Sequence, residues 1–376
     1  MRSRQNWIRE KLDRIDELFP AARLAASRER WTRLWRGEPP LDRQPFVFYP
    51  FTLDYYDDVL PPEPRLRAIL DEIIFRGRLD DDFIPAFFPG CRTSTIPNMF
   101  GAAEIVSGRD YSSAKLLQRI EDIAALPVPS LAPGTVAHEW LEMARYVRDE
   151  TEGRLPIHVA DMQGPPDVCG KLLGYEDFLA CAYEDPAAFR SLIGKVADAF
   201  ILLWERQREL AGDLFVGTHL FGWSWVPPGT GASLSSDSFV MISGEFYREF
   251  FQPCFEAMAA RLGGLTVHSC GDFSAVIPAL SRTPGVKAIN AGQMSVEAVL
   301  KAGVDPKTLL LVIVPAAEAA DTFSLIRRHG LRVDLTLNLS VSGVPPRDWG
   351  DKEWDLARRE NQRILELAGK GVNREW

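Results

Sequence analysis

A chain of 376 residues is long enough for two or three domains, or for one α/β barrel with insertions. Hydrophobic residues at 46% and charged residues at 25% exclude a disordered chain. Forty-three basic against 52 acidic residues, a net charge of −9, speaks against nucleic acid or an anionic membrane as partner, because both need clustered Lys and Arg.

The opening stretch MRSRQNWIREKLDRIDELF carries charge throughout and lacks an apolar h-region, so no signal segment is expected. Trp7, Ile8, Leu12, Ile15 and Phe19 recur at helical spacing and predict an amphipathic helix over 4–19. A second helix is expected over 21–36, before the turn at Glu38-Pro39-Pro40. From there a short apolar run, a polar or Gly/Pro loop and a helix repeat. Strands are predicted over 45–50, 82–88, 156–161, 213–220, 265–268, 286–290, 309–314 and 333–339. Helices are predicted over 63–76, 115–125, 136–151, 174–211, 243–262, 272–282, 294–303, 316–329 and 351–368. Most of the strands read as continuous apolar runs, the pattern of strands covered on both faces.

Strands alternating with helices predict parallel βα units, and eight of them predict a closed (β/α)8 TIM barrel, an α/β fold. No Pro/Gly/Ser-rich linker divides the chain. One barrel over 41–376 is therefore expected behind an N-terminal helical extension over 1–40. The longest apolar run, 309–320, is interrupted by Pro315 and Glu318 and falls short of the roughly 20 residues of a membrane span. Five Cys at irregular spacing do not make a disulfide framework, which points to the reducing cytoplasm. The N-terminal amphipathic helix has two places to pack, its own barrel or a second subunit, so a homodimer is one of two expected arrangements.

In such a barrel the chemistry sits at the C-terminal ends of the strands. The densest signal there is His268-Ser269-Cys270-Gly271-Asp272. An imidazole nitrogen and a thiolate two residues apart are ligand types that zinc prefers. The plainer reading is a His satisfied by a carbonyl and a buried Cys acting as a small apolar residue. Asp161 and Gln163 close the third strand as polar orienters or as turn residues. Asn290 and Gln293 follow the sixth strand and could contact substrate or support His268. His219 ends the fourth strand as an acid/base candidate or a core His. His158, His138 and His329 read as structural. Trp223 and Trp225, with Phe221, Phe46, Phe48, Tyr49, Phe51, Tyr55, Tyr56, Phe87 and Phe88, suggest either an aromatic-lined mouth for a flat or methylated ligand, or packing beneath long loops. Walker, dinucleotide, HExxH and GxSxG motifs do not occur, so ATP use, dinucleotide redox chemistry and serine hydrolysis lose their usual support.

Several segments carry a resemblance. HSCGDFSAVIPAL followed by GVKAINA is similar to the H-x-C-G motif of the uroporphyrinogen decarboxylase superfamily, and closest to its corrinoid and coenzyme M methyltransferase branch. RERWTRLWRGEPPLDRQPFV (28–47), GPPDVCGKLLGYEDFLACAYEDPAAFRSLI (164–193), LSSDSFVMISGEFYREFFQP (234–253) and GVPPRDWGDKEW (343–354) resemble further family segments in register. The resemblance implies an α/β barrel and methyl transfer between a small methylated or methoxylated compound and a corrinoid protein or a thiol. It also implies zinc held by His268, Cys270 and a later Cys.

That later Cys is Ser342 here. Cys91, Cys169, Asp237 or Glu245 would have to replace it. Asp237 matches an acidic residue that the family keeps near its substrate; it is a candidate acid or orienter, or a turn Asp bonded to its own backbone. The Arg-rich N-terminal motif of the tetrapyrrole decarboxylase is missing; the positions read Arg43-Gln44-Pro45-Phe46. Two alternatives stay open: a metal-free decarboxylase using Asp237 or Asp161, and a noncatalytic ligand-binding barrel.

Overall fold

The computed structural model describes residues 2–49, 60–108, 110–217 and 224–370, with side chains from residue 6 onward. Six parallel strands form one sheet in the order β1–β8–β7–β6–β5–β4. They are β1 (Phe46–Phe48), β4 (Ala232–Ser235), β5 (Leu265–His268), β6 (Val286–Asn290), β7 (Leu309–Pro315) and β8 (Val333–Asn338). A separate antiparallel hairpin, β2 (Glu104–Ser107) with β3 (Asp110–Ser113), stands outside the sheet and was not expected from the sequence.

Two extended segments close the gap between β1 and β4. Asp82 N–H donates to the Phe46 carbonyl at 2.9 Å, Phe87 bridges Ile157, and Asp161 N–H donates to the Gly90 carbonyl at 2.9 Å. Gln163 then bridges Ser235, where Ser235 N–H reaches the Met162 carbonyl at 3.0 Å. The result is an α/β barrel behind an N-terminal helical region.

The fourth barrel position departs from the sequence reading. A single strand was expected over 213–220. Gly212–Leu214 is instead a 3-10 turn, Phe215 makes one bridge to Ile157, and residues 218–220 lie outside the described residues. The upper part of that position is taken by Ala232–Ser235, a four-residue polar segment with no apolar run to announce it.

Continuous apolar character also fails for several strands. In β4, β5 and β8 the residues alternate. Ala232, Leu234, Leu265, Val267, Val333, Leu335 and Leu337 belong to the core beneath the helices. Their neighbours Ser233, Ser235, Thr266, His268, Asp334 and Thr336 therefore point into the barrel. The interior is polar toward its mouth, which is where a site needs it.

The helices follow the predicted order with changes at Pro and at polar stretches. The expected helix over 174–211 is two helices, Tyr175–Glu184 and Pro186–Ala211, broken at Asp185, whose side chain caps the second by accepting the N–H groups of Ala187 and Ala188. The expected helix over 243–262 contains a π-helical turn, Tyr247–Phe251, just before Pro253, where the missing N–H disrupts regular pairing. Only Ile120–Ala125 of the stretch 115–125 is helical, and only Ile277–Leu280 of 272–282. The helix Pro165–Leu173 was not anticipated.

The helices Arg2–Leu18 and Ala21–Arg36 pack on the barrel of their own chain. Asp82, fully buried, holds the second of them: it accepts from Ser27 Oγ at 3.0 Å, Arg30 Nη1 at 2.8 Å, Arg43 and the Phe46 N–H at 3.2 Å. Among the described residues, no helix is long and apolar enough to cross a membrane.

Candidate metal centre

The site is built where β4, β5 and β6 end. Register places Ser235 beside His268 and His268 beside Asn290, so three inward polar residues stand side by side. His268 Nδ1 lies 2.9 Å from Asn290 Oδ1. The same Asn290 oxygen accepts the Gly292 N–H at 3.0 Å. An atom that accepts from a backbone N–H is an oxygen, so Nδ1 carries the proton and donates to it. Nε2 then carries the lone pair.

Two further donor groups meet that lone pair. Cys270 Sγ is 3.1 Å from Nε2, and Asp237 Oδ1 is 3.5 Å from it. Among the described residues, Asp237, His268 and Cys270 form the group able to hold a metal ion, with all ligand atoms within 4.8 Å of one another. Bond lengths of about 2.0–2.3 Å in a tetrahedron put neighbouring zinc ligands roughly 3.3–3.8 Å apart; the 3.5 Å separation falls in that range and the 3.1 Å one just below it, and the imidazole, thiol and carboxylate are donor types that zinc takes. Three protein ligands leave a fourth position open, the pattern of a catalytic site.

The backbone around the group is tightly specified. Asp237 Oδ1 accepts the Cys270 N–H at 2.7 Å. Gln293 Oε1 accepts the Gly271 N–H at 2.7 Å. Gly292 has φ +54°, and a Cβ there would come within 2.5 Å of the Ser269 carbonyl. Only glycine allows the two strand-end loops to approach so closely.

Burial sets the charges. Desolvation lowers the imidazole pKa of His268, against the pull of Asp237, and favours neutral imidazole. Desolvation and the Asp237 charge push the Cys270 thiol up to about 11. Asp161 is raised to about 8 by burial and by the nearby charges of Asp237 and Asp167, against a lowering hydrogen bond from Ser235. Ser235 Oγ lies 2.9 Å from both Asp161 oxygens. Gln163 is 8% exposed, and its Oε1 has no hydrogen-bond partner among the described residues.

Other expected site residues sit elsewhere. Cys91 is half-buried near Tyr49, whose phenol is raised by burial and by that thiol. It stands outside the metal-binding group. Cys169 is buried in the helix Pro165–Leu173, Glu245 is exposed, and Ser342 is exposed in a loop after β8. Trp225 is 8% exposed in the buried cluster that includes Phe87, Ile157 and Leu311, so it packs rather than lining an open mouth. Phe46, Phe48, Phe87 and Phe88 are likewise buried in the core. His219, Trp223, Phe221, Phe51, Tyr55 and Tyr56 lie outside the described residues. His158 is a core residue, with Nδ1 3.3 Å from the Gly217 carbonyl.

Sequence reasoning missed Asp167. It is fully buried in the first turn of Pro165–Leu173, and burial together with the Asp237 charge raises its carboxyl to about 7. The Gly-Pro-Pro-Asp run that opens the helix was the available signal.

The fold is an α/β barrel with a carboxylate, an imidazole and a thiol converging at its strand ends, the face on which such barrels carry their active sites. The family model for uroporphyrinogen decarboxylase (URO-D) matches residues 93–310, more than half of the chain, and the chain belongs to that family. A methyltransferase from Methanosarcina mazei has a similar structure, with a TM-score of 0.61 over 90% of this chain and 97% of that one. At 16% identity this likeness is one of fold. The search of curated proteins found no match.

Proposed function

We propose that this protein is a zinc-dependent methyltransferase, moving a methyl group from a small methylated or methoxylated compound to a corrinoid carried by a partner protein or to a thiol. The observation that carries this reading is the convergence of His268 Nε2, Cys270 Sγ and Asp237 Oδ1. Zinc, when bound, would supply Lewis-acid chemistry toward a substrate oxygen or an acceptor thiolate. His268, Cys270 and Asp237 would hold it, and Asn290 keeps the imidazole in the ligating tautomer. Asp161, with a carboxyl that keeps its proton to about pH 8, is suited to protonate a leaving oxygen. Gln163 offers an unused acceptor to the substrate.

Decarboxylation without a metal is the second reading, and the family description together with the raised carboxyl of Asp161 favours it. The electrostatics of the mouth count against a polycarboxylate substrate. Asp237 stands there with Asp161 and Asp167, and among the described residues Lys171 is the cation that interacts with Asp167 and Asp237, one ammonium where several carboxylates would need pairing. Metal analysis of purified protein tests the choice. About one zinc per chain, lost in His268→Ala, is expected. Wild-type protein that takes up no zinc when reconstituted, yet releases CO2 from a carboxylated substrate, would overturn the methyltransferase reading.

A further inference from the structure

Asp167 is not a member of the metal-binding group, yet its carboxylate is used up by one segment next to it. Oδ2 accepts the Asp237 N–H at 2.9 Å. Oδ1 accepts both the N–H and the hydroxyl of Ser238, at 2.7 and 2.6 Å. Asp237 passes the restraint on, because its own Oδ1 accepts the Cys270 N–H at 2.7 Å. Two carboxylates in series thus tie the helix Pro165–Leu173 to the turn after β4, and that turn to the loop after β5.

Burying a carboxylate is costly, and a serine or asparagine can fix a simple turn. Asp167 also adds negative charge beside Asp237. A purely structural residue gains nothing from that neighbour, whereas a site meant to bind a cation does.

We propose that Asp167 is a positioning residue that sets the place of Asp237 in the metal-binding group and thereby the affinity of the group for zinc. This rests on the reading above that Asp237, His268 and Cys270 take zinc. Asp167 does not touch the ion and is not a ligand.

The substitution Asp167→Asn separates the parts of the claim. Its oxygen can keep the Ser238 bonds, but its NH2 would face the Asp237 N–H, donor against donor. Ser238→Ala is the control: it removes one hydroxyl bond and leaves the Asp237 contact intact. Zinc affinity, measured by chelator competition on the full chain, is expected to fall at least about tenfold in Asp167→Asn and to stay within about threefold of wild type in Ser238→Ala.

A metal-free readout is the rate at which iodoacetamide alkylates Cys270, followed by peptide mass spectrometry. It is expected to rise severalfold in Asp167→Asn, since Asp237 would no longer be held against the Cys270 backbone. Asp167→Ser serves in the same two assays if the asparagine variant does not fold. Wild-type zinc affinity together with wild-type alkylation in the variant would overturn the proposal. If wild-type protein binds no zinc, the metal reading fails alone, and the alkylation rate decides whether Asp167 positions the Cys270 loop.

Discussion

Asn290 fixes the tautomer of His268 from one strand away. Its Oδ1 receives the Nδ1 proton at 2.9 Å and is itself identified by the Gly292 N–H at 3.0 Å. Asn290→Ala would leave the imidazole free to turn or to exchange tautomers. Zinc affinity by chelator competition is expected to drop about 10- to 100-fold, the usual cost of losing such support. Circular dichroism should show the fold retained. Unchanged affinity would mean that Asn290 does not orient the ligand.

Gly292 tests the same corner through the backbone. With φ +54° and the Ser269 carbonyl only 2.5 Å from where a Cβ would stand, Gly292→Ala must displace either the Asn290 loop or the strand end that carries His268. A loss of more than about 1 kcal/mol in stability is expected, because both the left-handed backbone and the contact oppose the methyl group. Thermal melting checks it. A melting point equal to wild type would show that the loops separate without cost.

At the other end of the barrel, Asp82 ties the second N-terminal helix to the first strand. It is fully buried and receives donors from Ser27, Arg30, Arg43 and the Phe46 backbone, while its carbonyl accepts Trp31 Nε1–H at 2.8 Å. Asp82→Ala would strand the little-exposed guanidinium of Arg43 and leave Arg30 with Asp42 alone. A destabilisation of about 3–5 kcal/mol is expected. The thermal midpoint of the full chain should fall accordingly, and a change below about 1 kcal/mol would show that water replaces the carboxylate freely.

Much of this was legible in the sequence because it depends on local pattern. The strand at 309–315 is a continuous apolar run and was found nearly to the residue. The His268–Cys270 spacing at a strand end was legible for the same reason. Ala232–Ser235 was not: its inward serines break the apolar run, and what makes it a strand is pairing with β5 on one side and with Gln163 on the other. Asp237 was legible only as one candidate of several. Its approach to Cys270 depends on Asp167, 70 residues earlier, and no periodicity relates the two. Of the two readings of the aromatics, packing holds for Phe46, Phe48, Phe87, Phe88 and Trp225, which satisfy their apolar surface in the core.

Asp161 makes stability depend on pH in a direction opposite to the usual carboxylate. Its carboxyl is raised from 3.8 to about 8 by burial, Asp237 and Asp167. Between those two values the unfolded chain has released the proton that the folded chain keeps. The folded state then binds more protons, and stability must fall as pH rises through this window. Below about pH 4 both states are protonated and the contribution vanishes; above about pH 8 its cost is complete. Asp161→Asn cannot ionise, so its slope from this position is zero, while Asp167 and Asp334, both raised to about 7, contribute nearly the same slope to variant and wild type. Thermal midpoints of metal-free protein at pH 5, 6.5 and 8 should show the variant gaining on wild type at each step. Parallel curves across that range would mean that Asp161 ionises at the ordinary carboxylate pH, and would remove it as the proton donor at the mouth.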